Sequence, residues 1–259
     1  MRSGGVARLA CGVLAVLLGA LPLVAAAQDM AAHIAAGQAF DALRAADPSR
    51  MPRLAEPGAG EALRTLADAP RFLPEGGRAD LPTVSDTCDR AQSAGMAYLT
   101  FGAMQQGQLV VSVIGDNAAA YQDELALLQP FLARCIARQV PLAEATLRQM
   151  DPRMVAQLRL GGLRRGQAAV LQLYASLATA LHDPRIRPPY VDALLAALAE
   201  AAPAHVRALA VESRAVPHDM AAEQARAPGL RQAAWQRIAK AMGDTHCEQL
   251  CQLADRNGR

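Results

Sequence analysis

The chain has 259 residues, and its 26 basic and 24 acidic residues give a formal net charge of +2. Two of the arginines lie in the first 27 residues, which contain no acidic residue, so the remaining 232 residues are formally neutral and do not indicate a nucleic-acid-binding protein. Aromatic residues make up 3% of the chain, which argues against a base-stacking surface. The apolar residues are mostly alanine and leucine, which favour helices over strands, and they predict an all-α fold.

The first 27 residues have the pattern of a secretory signal peptide. Arg2 and Arg8 give a positive start, residues 9–24 are apolar, and residues 25–27 are small, as a cleavage site requires. An uncleaved membrane anchor is the alternative, although the apolar stretch is barely long enough to span a bilayer. We favour the signal peptide and expect a periplasmic or secreted protein without a membrane span after signal cleavage.

Residues 28–84 are predicted to form an N-terminal helical arm followed by a Pro/Gly-rich linker. The helix over residues 28–46 should end at Asp47-Pro48, because the residue before a proline avoids helical geometry. Residues 61–68 can form a second short helix, but prolines and glycines surround it. We expect this partly irregular arm either to wrap around the main domain or to stay mobile.

Residues 85–255 are predicted to form one helical domain, an irregular multi-helix bundle. Ser85 or Asp86 can cap its first helix, which is expected to run to about residue 106 with small residues on its inner face. Residues 115–117, Gly-Asp-Asn, have the composition of a turn.

Prolines are expected to divide the later helices, because proline removes a backbone donor and clashes with the preceding turn. Pro130 should kink or split the second helix, and Pro141 and Pro203 should each begin a new one. Asp151-Pro152 should begin a long helix that reaches about residue 181.

Residues 161–166, GGLRRG, combine glycine and arginine as some phosphate-binding loops do. They lack the Walker lysine and do not follow a strand, so we interpret them as a close helix crossing. Leu230 is expected on the inner face of a helix over residues 230–242, and Asp244 is expected to cap a last helix that ends near residue 253.

Four cysteines follow the predicted signal peptide: Cys88, Cys135, Cys247 and Cys251. An even number in an exported chain indicates disulfides. If the helices on either side of residue 111 form an antiparallel hairpin, Cys88 and Cys135 lie at matching heights, 23 and 24 residues from its midpoint. We therefore predict a Cys88–Cys135 disulfide, and Cys247–Cys251 follows by elimination.

The predicted Cys247–Cys251 disulfide conflicts with a regular helix. Side chains four residues apart on a helix have Cβ atoms ~5–6 Å apart, whereas a disulfide prefers ~3.8 Å. Either the helix bends there or the pair is an easily reduced dithiol, and with His246 the two cysteines could also form a redox or metal site. We favour a structural disulfide, because exported cysteines are usually structural and zinc needs a fourth ligand.

Catalytic patterns are absent from the sequence. The five histidines are scattered, and neither an H-E-x-x-H pair nor a G-x-S-x-G elbow occurs. The acids Asp123, Glu124, Glu144 and Glu200 are expected on solvated helix faces. An enzyme would instead bring His182 or His205 next to an acid in a pocket.

The preferred interpretation is a non-enzymatic exported helical protein, without a cofactor or metal, that binds an envelope protein or an apolar small molecule in a groove between helices. The alternatives are a thiol-active protein that uses Cys247 and Cys251 and a hydrolase or lyase with dispersed residues. A binding protein predicts an apolar groove without clustered ionisable side chains, and a thiol-active protein predicts exposed sulfurs.

Overall fold

The alanine- and leucine-rich segments form helices in a computed structural model that describes residues 29–73, 80–157 and 161–258. The predicted all-α fold is confirmed, and the predicted signal peptide at residues 1–27 lies outside the described residues. The helices are α1 (29–46), α2 (Ala59–Leu66), α3 (Ala69–Phe72), α4 (Leu81–Leu99), α5 (Val111–Ala120), α6 (Gln122–Gln149), α7 (Pro152–Gln157), α8 (Gly161–His182), α9 (Pro188–Ala208), α10 (Ala215–Gln224), α11 (Gln232–Met242) and α12 (Gln249–Gly258). A two-stranded hairpin, β1 (Met104–Gln105) and β2 (Gln108–Leu109), and a 3-10 turn at Glu212–Arg214 complete these ranges.

Helices α4, α6 and α9 form the centre of the fold. α6 packs along both α9 and α4, and α8 and α11 pack against α9. Leu125, Leu128 and Cys135 of α6 are buried in one core with Leu194 and Leu198 of α9. Removal of these apolar side chains from water is the main contribution to stability. Within the described ranges, no helix is long and apolar enough to cross a membrane.

Helices α6 and α9 continue through their prolines. Pro130 and Pro141 lie inside α6 and Pro203 lies inside α9. Pro130 therefore does not split α6, and the prediction that Pro141 and Pro203 begin new helices is wrong. A proline inside a helix costs about 3 kcal/mol, because it removes a hydrogen bond. Buried side chains on both sides of Pro203, such as Leu198 and Val206, offset this cost by keeping the helix packed.

The start of α4 differs from the prediction. Asp80 is the N-cap, and its carboxylate accepts a hydrogen bond from the Thr83 backbone N–H at 2.8 Å. Pro82 lies in the first turn, where its missing N–H has no intrahelical partner to lose. The predicted caps Ser85 and Asp86 therefore lie inside the helix.

The end of α4 is fixed by Asn117. The helix ends at Leu99, short of the predicted residue 106, and the Asn117 side-chain amide donates to the carbonyls of Leu99 at 3.0 Å and Phe101 at 2.7 Å. These bonds satisfy carbonyls that a helix end leaves without a partner. Residues 115–117, which were predicted to form a turn, belong to α5, because Asn117 is buried against α4.

The N-terminal arm packs into the same core as the helices of residues 85–255. The residues of the arm that are buried in that core include Phe40 of α1, Met51 of the segment between α1 and α2, and Leu63 of α2. The Tyr98 hydroxyl of α4 donates a hydrogen bond to the Pro52 carbonyl at 2.7 Å. The segment around the prolines is therefore held by buried side chains and a buried hydrogen bond.

Helix α11 begins two residues later than predicted. It starts at Gln232, and Leu230, which was predicted on the inner face, is fully exposed. Trp235, Ile238 and Met242 form the buried face of α11. Leu230 is exposed because it lies in the loop before the helix, so the helical spacing of apolar residues begins only after it.

Candidate functional site

A groove of about 300 Å³ lies where α4, α6 and α8 meet the end of α9 and the start of α12. The apolar side chains that line it are Leu81, Ile136, Val140, Ala143, Leu163, Ala208 and Leu250. Concave sites of this size with mainly apolar walls and a few polar groups are typical of small-molecule binding.

Glycines of α8 keep this groove open. Gly162 and Gly166 line it, and a Cβ atom on either would meet no described neighbour within 4 Å. The prediction that residues 161–166 form a close helix crossing is therefore wrong. Gly95 of α4 faces α6, where a Cβ atom would lie 4.0 Å from Leu128 Cβ, an ordinary van der Waals distance.

Polar side chains also line the groove, namely Ser85, Asp89, Gln92, Gln139, Arg165 and Gln167. Asp89 and Arg165 are both exposed, and they bring one charge of each sign to the site. The Gln167 amide donates to the Ala208 carbonyl at 2.8 Å and joins α8 to the end of α9. The groove thus combines an apolar wall with a polar edge.

The first disulfide borders the groove. Cys88 of α4 and Cys135 of α6 are joined with their Cα atoms 5.6 Å apart, which is the pair that the sequence predicts. Both residues are buried, and Cys88 is part of the groove lining. This disulfide holds together two of the helices between which the groove lies.

The second disulfide joins Cys247 and Cys251, whose Cα atoms are 5.2 Å apart. α12 begins at Gln249 and not near the predicted cap Asp244, so Cys247 lies in the non-helical segment before the helix. The expected conflict between a helical turn and a disulfide does not arise, because the two cysteines do not share a helix. Cys251 is fully buried, whereas Cys247 is half-buried.

Arg214 is buried beside this second disulfide. Its guanidinium donates hydrogen bonds to Cys251 Sγ at 3.1 Å and to the carbonyls of Leu209, Asp244 and His246. Sequence reasoning missed this residue, because arginines are mostly exposed and its partners are largely backbone atoms. Arg214 connects the end of α9 to the segment that precedes α12.

Two acids that were predicted on solvated faces are buried. Glu124 accepts a hydrogen bond from the Leu54 backbone N–H at 2.7 Å and lies 3.3 Å from Arg53 Nε, so it holds the N-terminal arm on α6. Glu144 is paired with Arg207 of α9. Both acids are buried because a cation reaches each of them from another segment, which periodicity along one helix cannot reveal.

The histidines proposed for an enzyme have other partners. His205 is fully buried, and its Nε2–H donates to the Ala133 carbonyl at 2.9 Å. Burial outweighs this hydrogen bond and lowers the pKa of His205 to about 4. His182 Nδ1 lies 2.8 Å from the Ala178 carbonyl oxygen on the surface. Neither contact is the histidine–carboxylate pair that the enzyme alternative predicts, and the described residues hold no group of three or more His, Cys, Asp or Glu placed for a metal ion.

The fold and the groove define an all-α, disulfide-linked protein with an apolar, partly enclosed candidate binding site. A scan against models of protein families, a search of curated proteins and a search of solved structures each found no match. Any functional assignment therefore depends on the geometry and chemistry of the groove and the disulfides.

Proposed function

We propose that this protein is an exported, non-enzymatic helical binding protein whose groove holds a small molecule with an apolar body. The observation that carries the proposal is the apolar groove of about 300 Å³ between α4, α6, α8, α9 and α12. An apolar ligand in such a groove loses contact with water, which favours binding. The signal-peptide pattern and the two disulfides support a periplasmic or secreted location.

The size of the groove favours a small molecule over an envelope protein. Small-molecule sites have volumes of ~300–1,000 Å³, whereas a specific protein partner covers about 800 Å² on each side. The groove of about 300 Å³ lies at the lower end of the range for small molecules. A compact molecule that fills the groove is therefore the occupant that its dimensions support.

The polar edge of the groove favours a ligand with a polar end. Asp89 and Arg165 supply opposite charges beside the apolar wall, and Gln92 and Gln139 supply neutral donors and acceptors. A few polar groups beside an apolar surface fix the orientation of a ligand. The preferred class is therefore a small amphiphile with an apolar body and a polar or zwitterionic end.

Fluorescent-probe binding tests the proposal. N-phenyl-1-naphthylamine, which is neutral and apolar, should bind the purified chain with saturation and gain fluorescence. Gly166→Leu places a large side chain at a groove-lining position and should weaken probe binding by about tenfold, which corresponds to ~1.4 kcal/mol.

Gly161→Leu is the matched control. Gly161 is the first residue of the same helix and is not part of the groove lining, so this variant adds a leucine to α8 outside the groove. The control should bind the probe like the parent protein. Equal weakening by the two variants, or no saturable binding to the parent, would contradict the proposal.

A further inference from the structure

The two sulfurs of the Cys247–Cys251 disulfide have different surroundings. Cys247 Sγ belongs to a half-buried residue in the non-helical segment before α12, whereas Cys251 is fully buried in the first turn of α12. The Arg214 guanidinium donates a hydrogen bond to Cys251 Sγ at 3.1 Å. We propose that this disulfide is a site of thiol–disulfide exchange, at which a small external thiol attacks Cys247 and Cys251 leaves as a thiolate.

The sulfur that is attacked is the one that an external thiol can reach. The incoming thiolate must approach along the line of the S–S bond, and the rate depends on which sulfur can be reached. Residues 244–248 are non-helical, and all except Cys247 are exposed. Cys251 is covered on all sides, because its exposed fraction is 0%. Attack at Cys247 is therefore the accessible route.

Arg214 stabilises the leaving group. Negative charge develops on Cys251 Sγ as the S–S bond breaks, and a hydrogen bond from a charged donor to such a sulfur is stronger than one from a neutral donor. Arg214 is 2% exposed, so water screens its charge poorly. A positive charge beside a cysteine favours its thiolate, and a stabilised thiolate leaves faster.

The exchange balances with two equivalents of a monothiol such as glutathione. The first thiolate forms an S–S bond with Cys247 Sγ, and the electron pair of the broken bond remains on Cys251 Sγ beside Arg214. The second thiolate attacks the glutathione sulfur of the mixed disulfide and releases the Cys247 thiolate. Glutathione is oxidised to its disulfide, and the protein gains two electrons.

The Cys88–Cys135 disulfide is an internal reference in the same molecule. Both of its cysteines are buried in the core, with 2% and 0% of their surfaces exposed. Cys88 borders the groove but is only 2% exposed, so a thiol reaches these sulfurs after the surrounding helices open, which requires much of the free energy of unfolding. The two disulfides should therefore differ strongly in their rate of reduction.

Peptide mapping of the oxidised full chain tests the proposal. The protein is incubated with reduced glutathione, quenched at timed intervals with iodoacetamide in denaturing buffer, which exposes the buried Cys251, and digested without further reduction. We expect glutathione on Cys247 and the carbamidomethyl group on Cys251, with opening on the order of 100-fold faster than for Cys88–Cys135. Glutathione mainly on Cys251, or equal rates for the two disulfides, would overturn the proposal.

Variants of Arg214 test the leaving-group role. Arg214→Gln keeps a hydrogen-bond donor but removes the charge, and it should slow the opening of Cys247–Cys251 by about tenfold. Arg214→Lys retains the charge and should slow it less. If Arg214→Gln loses its helical circular dichroism, the position of glutathione on the parent chain decides the question, because that readout needs no substitution. Equal opening rates in a folded Arg214→Gln variant and the parent would show that Arg214 does not stabilise the Cys251 thiolate as it leaves.

Discussion

Glu144 of α6 and Arg207 of α9 form a two-point ion pair between two of the three central helices. Arg207 Nε donates to Glu144 Oε1 at 3.0 Å, and Arg207 Nη2 donates to Glu144 Oε2. The Glu144 side chain is 2% exposed and the Arg207 side chain is 39% exposed. A buried carboxylate loses its hydration, so its stability in this position depends on the arginine.

Arg207→Met should lower the free energy of unfolding by about 3 kcal/mol, because it leaves the Glu144 carboxylate buried without its cation. The double variant Glu144→Leu/Arg207→Met should recover most of this loss, since it removes the buried charge as well. Urea denaturation followed by circular dichroism measures all three proteins.

The matched control for this pair is Arg134→Met. Arg134 of α6 also pairs with an acid of α9, Glu200, at 2.8 Å. Its acid is 62% exposed, whereas Glu144 is 2% exposed, and the two arginines are similarly exposed, at 37% and 39%. This exposed pair should contribute less than about 1 kcal/mol. Similar losses in Arg134→Met and Arg207→Met would show that burial of Glu144 does not determine the effect.

The buried His205 should make stability depend on pH. Its pKa is lowered by burial from 6.5 to about 4 in the folded protein. As pH falls from about 6.5 to about 4, the unfolded chain binds a proton that folded His205 does not, so stability is complete above this window and is lost within it. The loss at the acid end is about 3 kcal/mol. Burial also lowers the pKa of His33, which adds a loss in the same direction.

His205→Gln is the variant that isolates this contribution. A glutamine amide can donate to the Ala133 carbonyl in place of Nε2–H, and it does not titrate. Urea denaturation of both proteins across this pH window should give a flatter profile for the variant, with the remaining slope assigned to His33 and the carboxylates. An unchanged slope would mean that His205 takes up its proton without unfolding.

The helical class and the disulfide pairs could be predicted from the sequence, because the first depends on local propensity and the second on a small number of possible pairings. Alanine and leucine favour helices along the whole chain, and an even number of cysteines limits the pairings. The Cys88–Cys135 pair was predicted from matching heights on two helices. This argument gave the observed pair even though α5 and the β1–β2 hairpin interrupt the expected connection.

The groove and its neighbours could not be predicted, because they depend on contacts between distant segments. Pro130 does not divide α6, since packing against α4 and α9 offsets a local cost. Glu144 and Arg214 are buried because their partners come from elsewhere in the chain. The sequence shows that Gly166 is a small residue in a helix. It does not show whether the space beside this glycine is filled by another helix or left open as a groove.

The charges at the groove edge should discriminate between ligands. Arg165→Gln should weaken the binding of the anionic probe 1-anilinonaphthalene-8-sulfonate by about two- to fivefold, since exposed charge pairs contribute up to ~1 kcal/mol. Asp89→Asn should strengthen it by a similar factor. The neutral probe N-phenyl-1-naphthylamine should bind both variants like the parent. Identical effects on the two probes would indicate a change of shape rather than of charge.

The two disulfides should contribute unequally to stability. Cys88 and Cys135 are 47 residues apart, and loop-closure entropy gives their disulfide about 4 kcal/mol. Cys247 and Cys251 are four residues apart, for which the same relation gives about 2 kcal/mol.

Paired alanine replacements at each disulfide, compared with the parent by urea denaturation, measure these contributions. The Cys88→Ala/Cys135→Ala variant should lose about twice as much stability as Cys247→Ala/Cys251→Ala. If the shorter disulfide contributes as much as the longer one, its role is to anchor α12 and the segment held by Arg214. In that case loop entropy would not account for the difference between the two disulfides.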